Sequence, residues 1–80
     1  MKQYVGTKII KADDRIKTWK EHYEEQGWHW PEGKEGADRL GYTVGYPNAQ
    51  GEFDGDKKDG CHYISWSPAD VFEATYKPIE

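Results

Sequence analysis

The sequence predicts an α+β fold: a small antiparallel sheet of about three strands with two short helices packed on it. Three observations carry this. Residues 40–46, LGYTVGY, alternate with a period of two, the mark of a strand. Residues 13–27, DDRIKTWKEHYEEQG, place Ile16, Trp19 and Tyr23 at i, i+3 and i+7, one helical stripe. Residues 65–72, SWSPADVF, put a serine and a proline where a strand would turn into a helix.

Taken in order, residues 4–12, YVGTKIIKA, favour a strand through Val5, Ile9 and Ile10. Gly6 interrupts it, which suggests a bulge or the close approach of another backbone. A helix is expected over about 13–26, capped by Asp13 or Asp14 and closed by Gly27 in a left-handed conformation. Residues 28–39 read as a loop in which Trp28 and Trp30 flank His29; they either lid the core or line a pocket. In the 40–46 strand, Leu40, Tyr42, Val44 and Tyr46 share one face. Gly41, Thr43 and Gly45 share the other, leaving room for a neighbouring subunit or a ligand to come close. Residues 47–60 are polar and Gly-rich, a hairpin tip or mobile loop. Asp54, Asp56 and Asp59 in it lack the spacing of an EF-hand. A third strand is expected near 61–66, with His62, Ile64 and Trp66 on one face and Tyr63 and Ser65 on the other. Ser67 then reads as an N-cap with Asp70 in a capping box, and Trp66 as a staple on Val71. The last helix covers about 68–76 and stops before Pro78. Ile16, Trp19, Tyr23, Val71 and Phe72 are the expected buried positions of the two helices.

Composition narrows the function. Eighty residues make a single domain, 1–80, with one Leu, five Ile and three Val for a core. Four Trp, six Tyr and two Phe supply the bulk instead, either as that core or as a surface for a flat ligand. The shortage of aliphatics also favours self-association, as a tetramer or another even-numbered oligomer. A net charge of −4 disfavours duplex nucleic acid as a partner. Cys61 is the one cysteine, so no internal disulfide forms, and no metal motif surrounds it. No signal peptide and no membrane-spanning apolar run is visible, so an intracellular location is expected.

Four segments together resemble a family of small proteins encoded by bacteriophages and prophages: YVGTKIIKA at 4–12, GWHWP at 27–31, GYTVGY at 41–46 and SWSPADVFEATY at 65–76. The match spans nearly the whole chain except the 47–60 loop. SWSP followed by VF is the most specific part. Residues 13–15, DDR, stand where many relatives have a Pro-Met pair, so the resemblance does not fix where the first helix begins. Within that family the chain is similar to the phage anti-CBASS sponges. This implies binding of a cyclic dinucleotide, 3′3′-cyclic GMP-AMP first among them, without cleavage and without cofactor, metal or catalytic residue. It also implies the cytoplasm of the infected bacterial host. Such a ligand offers two bases for aromatic stacking and two phosphates for cations, hydroxyls and free amides. Trp28, Tyr42, Tyr63 and Trp66 are the stacking candidates. Gly6, Thr7, Lys8, Arg39, Ser65 and Ser67 are the polar ones.

Two other classes stay in view. An inhibitor that covers a host protein by direct contact would use the acidic surface, although the carboxylates alternate with lysines. An enzyme would need a base and a nucleophile held together, and His22, His29 and His62 sit in unrelated segments.

Overall fold

The computed structural model describes residues 1–79. The first segment is not one strand but a hairpin. β1 (Lys2–Val5) and β2 (Ile9–Ala12) pair antiparallel, with Val5 opposite Ile9 and Tyr4 opposite Ile10. Gly6, Thr7 and Lys8 form the turn between them. The close approach expected at Gly6 is there: a Cβ would sit 2.9 Å from the Tyr76 ring and 3.0 Å from the Thr75 carbonyl.

The second segment begins as strand, not helix. Asp13 N–H donates to the Thr43 carbonyl at 2.9 Å, and β3 (Lys17–Thr18) pairs with Gly41 and Leu40. β2 and β3 are thus one strand interrupted by an outward loop at residues 13–16. Helix α1 runs only Trp19–Gln26. Its cap is Thr18, not Asp13 or Asp14. The Thr18 hydroxyl accepts from Glu21 N–H at 3.1 Å, and the Glu21 carboxylate accepts from Thr18 N–H at 2.8 Å. This reciprocal pair satisfies two end groups at once. The carboxylate of Asp13 is occupied elsewhere, by Lys17 Nζ at 2.5 Å and Lys58 Nζ at 3.2 Å. Gly27 closes α1 at φ 78°, as expected.

β4 (Leu40–Tyr46) is the centre of the sheet. One edge pairs with β5 (Tyr63–Pro68) along its length, from Gly41 opposite Pro68 to Tyr46 opposite Tyr63. The other edge pairs with β2 at one end and β3 at the other. Helix α2 (Ala69–Thr75) follows β5, and β6 (Lys77–Pro78) returns to pair with β1. The result is two helices and a six-stranded antiparallel sheet curled into a half-barrel, rather than three strands. The extra strands are short and come from segments whose periodicity is too brief to read. No helix among the described residues is long and apolar enough to cross a membrane.

Each face of the sheet has its own filling. On one, Ile10, Ala12, Val44 and Phe72 are buried, ringed by Tyr4, Tyr42, Tyr46 and Tyr76. Aromatics here do the packing that aliphatics would do elsewhere. On the other, the Gly-Thr-Gly face is filled by the chain itself. A Cβ at Gly41 would overlap the Trp66 ring and the Ser67 carbonyl, and one at Gly45 would overlap Cys61 Sγ. His22 covers Thr43, its Nδ1 lying 2.8 Å from the Thr43 hydroxyl. The buried residue of α1 is therefore His22, while Trp19 and Tyr23 are half-buried and Ile16, outside the helix, is 40 % exposed.

The corner between β5 and α2 also departs from expectation. Pairing continues through Pro68, so Ser67 is held extended opposite Tyr42. No side chain caps α2; the Ser67 hydroxyl meets only the Pro68 carbonyl, at 3.4 Å. Val71 is exposed and makes no staple. Trp66 stacks instead on Trp19, with ring centres 4.9 Å apart and planes 7° from parallel.

The 47–60 loop is tied down at several points. The Asn48 carboxamide oxygen accepts from Gln50 and Glu52 N–H at 3.0 and 2.8 Å. A single 3₁₀ turn at Lys58–Gly60 brings Asp59 to the amino terminus at 2.5 Å, and its carbonyl to Lys11 Nζ at 2.7 Å.

Candidate functional site

The fold spreads the ten candidate binding residues over three places. The hairpin turn holds Gly6, Thr7 and Lys8 at one end of the sheet. Lys8 Nζ lies 5.6 Å from the centre of the Tyr46 ring. Tyr46 is 6.0 Å from Tyr63, planes tilted by 33°, and Tyr63 is 61 % exposed. A groove of about 370 Å³ opens beside them, between Lys8, Ile9 and residues 47–51. Lys8 thus joins the two features, lining the open groove and approaching the Tyr46 ring outside it. Burial, with Tyr76 and Tyr63 nearby, pushes the Tyr46 phenol above its ordinary pKa, so it stays neutral and able to donate.

Tyr42, Ser65 and Ser67 lie on the same face but further along, towards α2. Ser65 stands opposite Val44 and Ser67 opposite Tyr42. The Tyr42 ring rests 4.9 Å from Phe72, and its hydroxyl donates to Glu73 Oε2 at 2.6 Å. That bond to a carboxylate, with some help from burial, pushes the phenol up to about 12. Ultraviolet titration should show Tyr42 and Tyr46 ionising after the other four tyrosines, Tyr42 last, and Glu73→Gln should advance Tyr42 and leave Tyr46 late. An unchanged Glu73→Gln titration would place the cause elsewhere.

Trp28, Trp66 and Arg39 belong to the opposite face. Trp66 is stacked on Trp19, and its indole N–H is buried with no acceptor among the described residues. It is a packing residue first. Arg39 is exposed, and its carbonyl accepts from Trp19 N–H at 2.9 Å. Trp28 is 49 % exposed and lines a second groove beyond α1.

Two residues near Lys8, Tyr46 under its ammonium and Asn48 in the groove, escape the sequence reading. Tyr46 is legible as a strand residue but not as the ring beneath Lys8, because that contact joins β4 to the β1–β2 turn. Asn48 announces itself only as a turn former. Among the described residues, no group of three or more His, Cys, Asp or Glu is arranged to hold a metal ion. Cys61 is fully buried, and burial pushes its thiol up, away from the reactive thiolate. No family model, curated protein or solved structure matches the chain.

Proposed function

We propose that this chain binds a cyclic dinucleotide, first of all 3′3′-cyclic GMP-AMP, and holds it uncleaved. In an infected bacterium this would deny a CBASS-type signal to its effector. The observation that carries the reading is Lys8, which lines the 47–51 groove and lies over the Tyr46 ring, itself beside the exposed Tyr63. A phosphate meets the Lys8 ammonium and the Thr7 hydroxyl; a base stacks on Tyr63. Nothing in this arrangement calls for bond breaking.

The remaining candidates, Trp28, Arg39 and Trp66, lie on the other face of the sheet. One ligand meets both sets only across two copies of the chain. That favours a site between subunits of a homo-oligomer, a tetramer or another even-numbered assembly. The Gly-Thr-Gly face no longer argues for the oligomer, since Trp66, His22 and Cys61 fill it; the scarcity of aliphatics still does. Light scattering on a gel-filtered sample should give a mass well above 9.3 kDa. A stable, folded monomer at low micromolar concentration would contradict the assembly.

Calorimetric titration tests the activity. Lys8 is exposed, so Lys8→Ala should leave the fold intact. Losing one charge-assisted phosphate contact costs about 1–3 kcal/mol, roughly a 5- to 150-fold weaker complex. If wild type shows neither heat nor a tryptophan fluorescence change with tens of micromolar ligand, the reading fails for that ligand. Recovery of a cleaved product from denatured protein would point to an enzyme instead.

A further inference from the structure

We infer that the groove lined by Lys20, Glu24, Trp28, His29 and Trp30 takes a guanine base. The groove measures about 320 Å³ and lies beside α1, whose His22 covers Thr43 on the face of β4 opposite the Tyr46 ring that Lys8 approaches. Guanine recognition here deepens the proposed function, which sets Trp28 against the same ligand, and rests on this groove's own lining rather than on Lys8.

The walls are built before any ligand arrives. Gly27 turns the chain sharply, and Trp28 N–H then donates to the Tyr23 carbonyl at 2.9 Å. The Trp28 ring stands edge-on to His22 at 5.7 Å and to Tyr23 at 5.5 Å. Trp30 packs against Tyr23 at 4.9 Å and Trp19 at 5.4 Å, and its indole N–H donates to the Lys34 carbonyl at 3.2 Å. Both indoles are therefore fixed by contacts on their inner sides. Half of Trp28 stays open to solvent, which is an uncommon exposure for an indole held this firmly.

The polar lining selects among flat ligands. Lys20 and Glu24 are four residues apart and project from one face of α1. Among the described residues, neither side chain has a hydrogen bond or ion pair, and the same holds for the His29 ring. A lone carboxylate accepts best from two adjacent N–H donors. Guanine presents such a pair, N1–H and the N2 amino group, beside an O6 acceptor. Adenine presents a lone pair at N1, which a carboxylate repels. An arginine guanidinium also offers paired donors and stacks on indole. It has no acceptor for Lys20, however, and its charge is repelled by the Lys20 ammonium. Guanine alone among these answers the carboxylate, the cation and the ring together.

Fluorescence titration of the full chain with GMP, AMP and N-acetylarginine amide tests this, with Glu24→Gln as the deciding variant. Glu24 is exposed, so the change spares the fold. GMP should quench tryptophan emission and bind at least about tenfold tighter than AMP, within what one paired base contact discriminates. Glu24→Gln should narrow or invert that preference, because an amide nitrogen can donate to adenine N1. Equal binding of GMP and AMP, a preference that survives Glu24→Gln, an arginine derivative binding as well as GMP, or no response at all would each overturn the inference. So would loss of the GMP response in Lys8→Ala with Glu24→Gln unaffected, which would move the base to the other groove.

Discussion

Phe72→Ala is expected to remove a large part of the stability of this protein, while Val71→Ala beside it changes almost nothing. Phe72 is 2 % exposed and Val71 is 53 % exposed. The Phe72 ring packs against Tyr4 and Tyr42 at 4.9 Å and Tyr76 at 5.3 Å, over Ile10 and Val44. It is the only residue of α2 that enters this cluster. Truncating a buried Phe to Ala costs about 3–5 kcal/mol, part lost transfer and part cavity. A domain of this size holds on the order of 4–12 kcal/mol in total, at roughly 0.05–0.15 kcal/mol per residue. Surface changes such as Val71→Ala stay within about 0.5 kcal/mol. Urea melts followed by circular dichroism measure both. Comparable losses in the two variants would mean that α2 packs by another face.

Asp13→Ala is expected to cost about as much, by a different route. Lys17 is 3 % exposed and its ammonium is bracketed by Asp13, at 2.5 Å, and Glu25. Removing Asp13 leaves a buried cation short of a partner, which typically costs about 3–5 kcal/mol. Lys17→Met should cost less, because it removes the buried charge and keeps the volume. The pH dependence checks the assignment. Burial by itself would raise the Asp13 pKa, but hydrogen bonds from Lys17 and Lys58 outweigh it and hold the carboxyl below its ordinary value. A depressed folded pKa means stability present above the ordinary carboxylate value and lost as pH falls through the folded one. Lys17 behaves oppositely: burial would lower it, but the hydrogen bonds to Asp13 and Glu25 raise it. Its contribution is full at neutral pH and is lost only as pH rises through that raised value.

His22 adds a slope nearer neutrality. Burial, then the neighbouring Lys17 charge, depress its pKa below 6.5. Its contribution is complete above 6.5 and is lost as pH falls from there through the lowered value. Wild-type urea midpoints should therefore decline in two stages on acidification. Asp13→Ala should keep the first and shrink the second, to which the lowered carboxyls of Glu21, Asp54 and Asp59 also contribute. A second stage as large in the variant as in wild type would remove Asp13 from the account.

The candidate sites were legible in part. Lys8 and Tyr63 are readable as a cation and a ring suited to a nucleotide. That Lys8 meets Tyr46, and that Trp66 is sealed against Trp19, depend on contacts between segments more than thirty residues apart. The Trp28–His29–Trp30 run leaves lid and pocket open in the sequence. The structure gives it both duties: Trp30 packs inward, and Trp28 faces a groove.

The sequence by itself determined the elements whose signals are local. β4 follows from seven alternating residues, α1 stops at a glycine that accepts φ 78°, and α2 ends just before a strand closed by Pro78. The Thr18–Glu21 cap is equally local, and was hidden only by two aspartates that look like better caps. Tertiary structure alone decided the rest. Residues 13–18 read as the first turn of a helix, yet the edge of β4 takes Asp13 N–H and pairs with Lys17–Thr18 as strand, and the ladder bonds outweigh a weak helical preference. Ser67 looks like a cap, yet pairing through Pro68 holds it extended. The Gly-Thr-Gly face is open in the sequence and full in the fold, because a strand's pattern states how much room it leaves and only the packed chain states what enters.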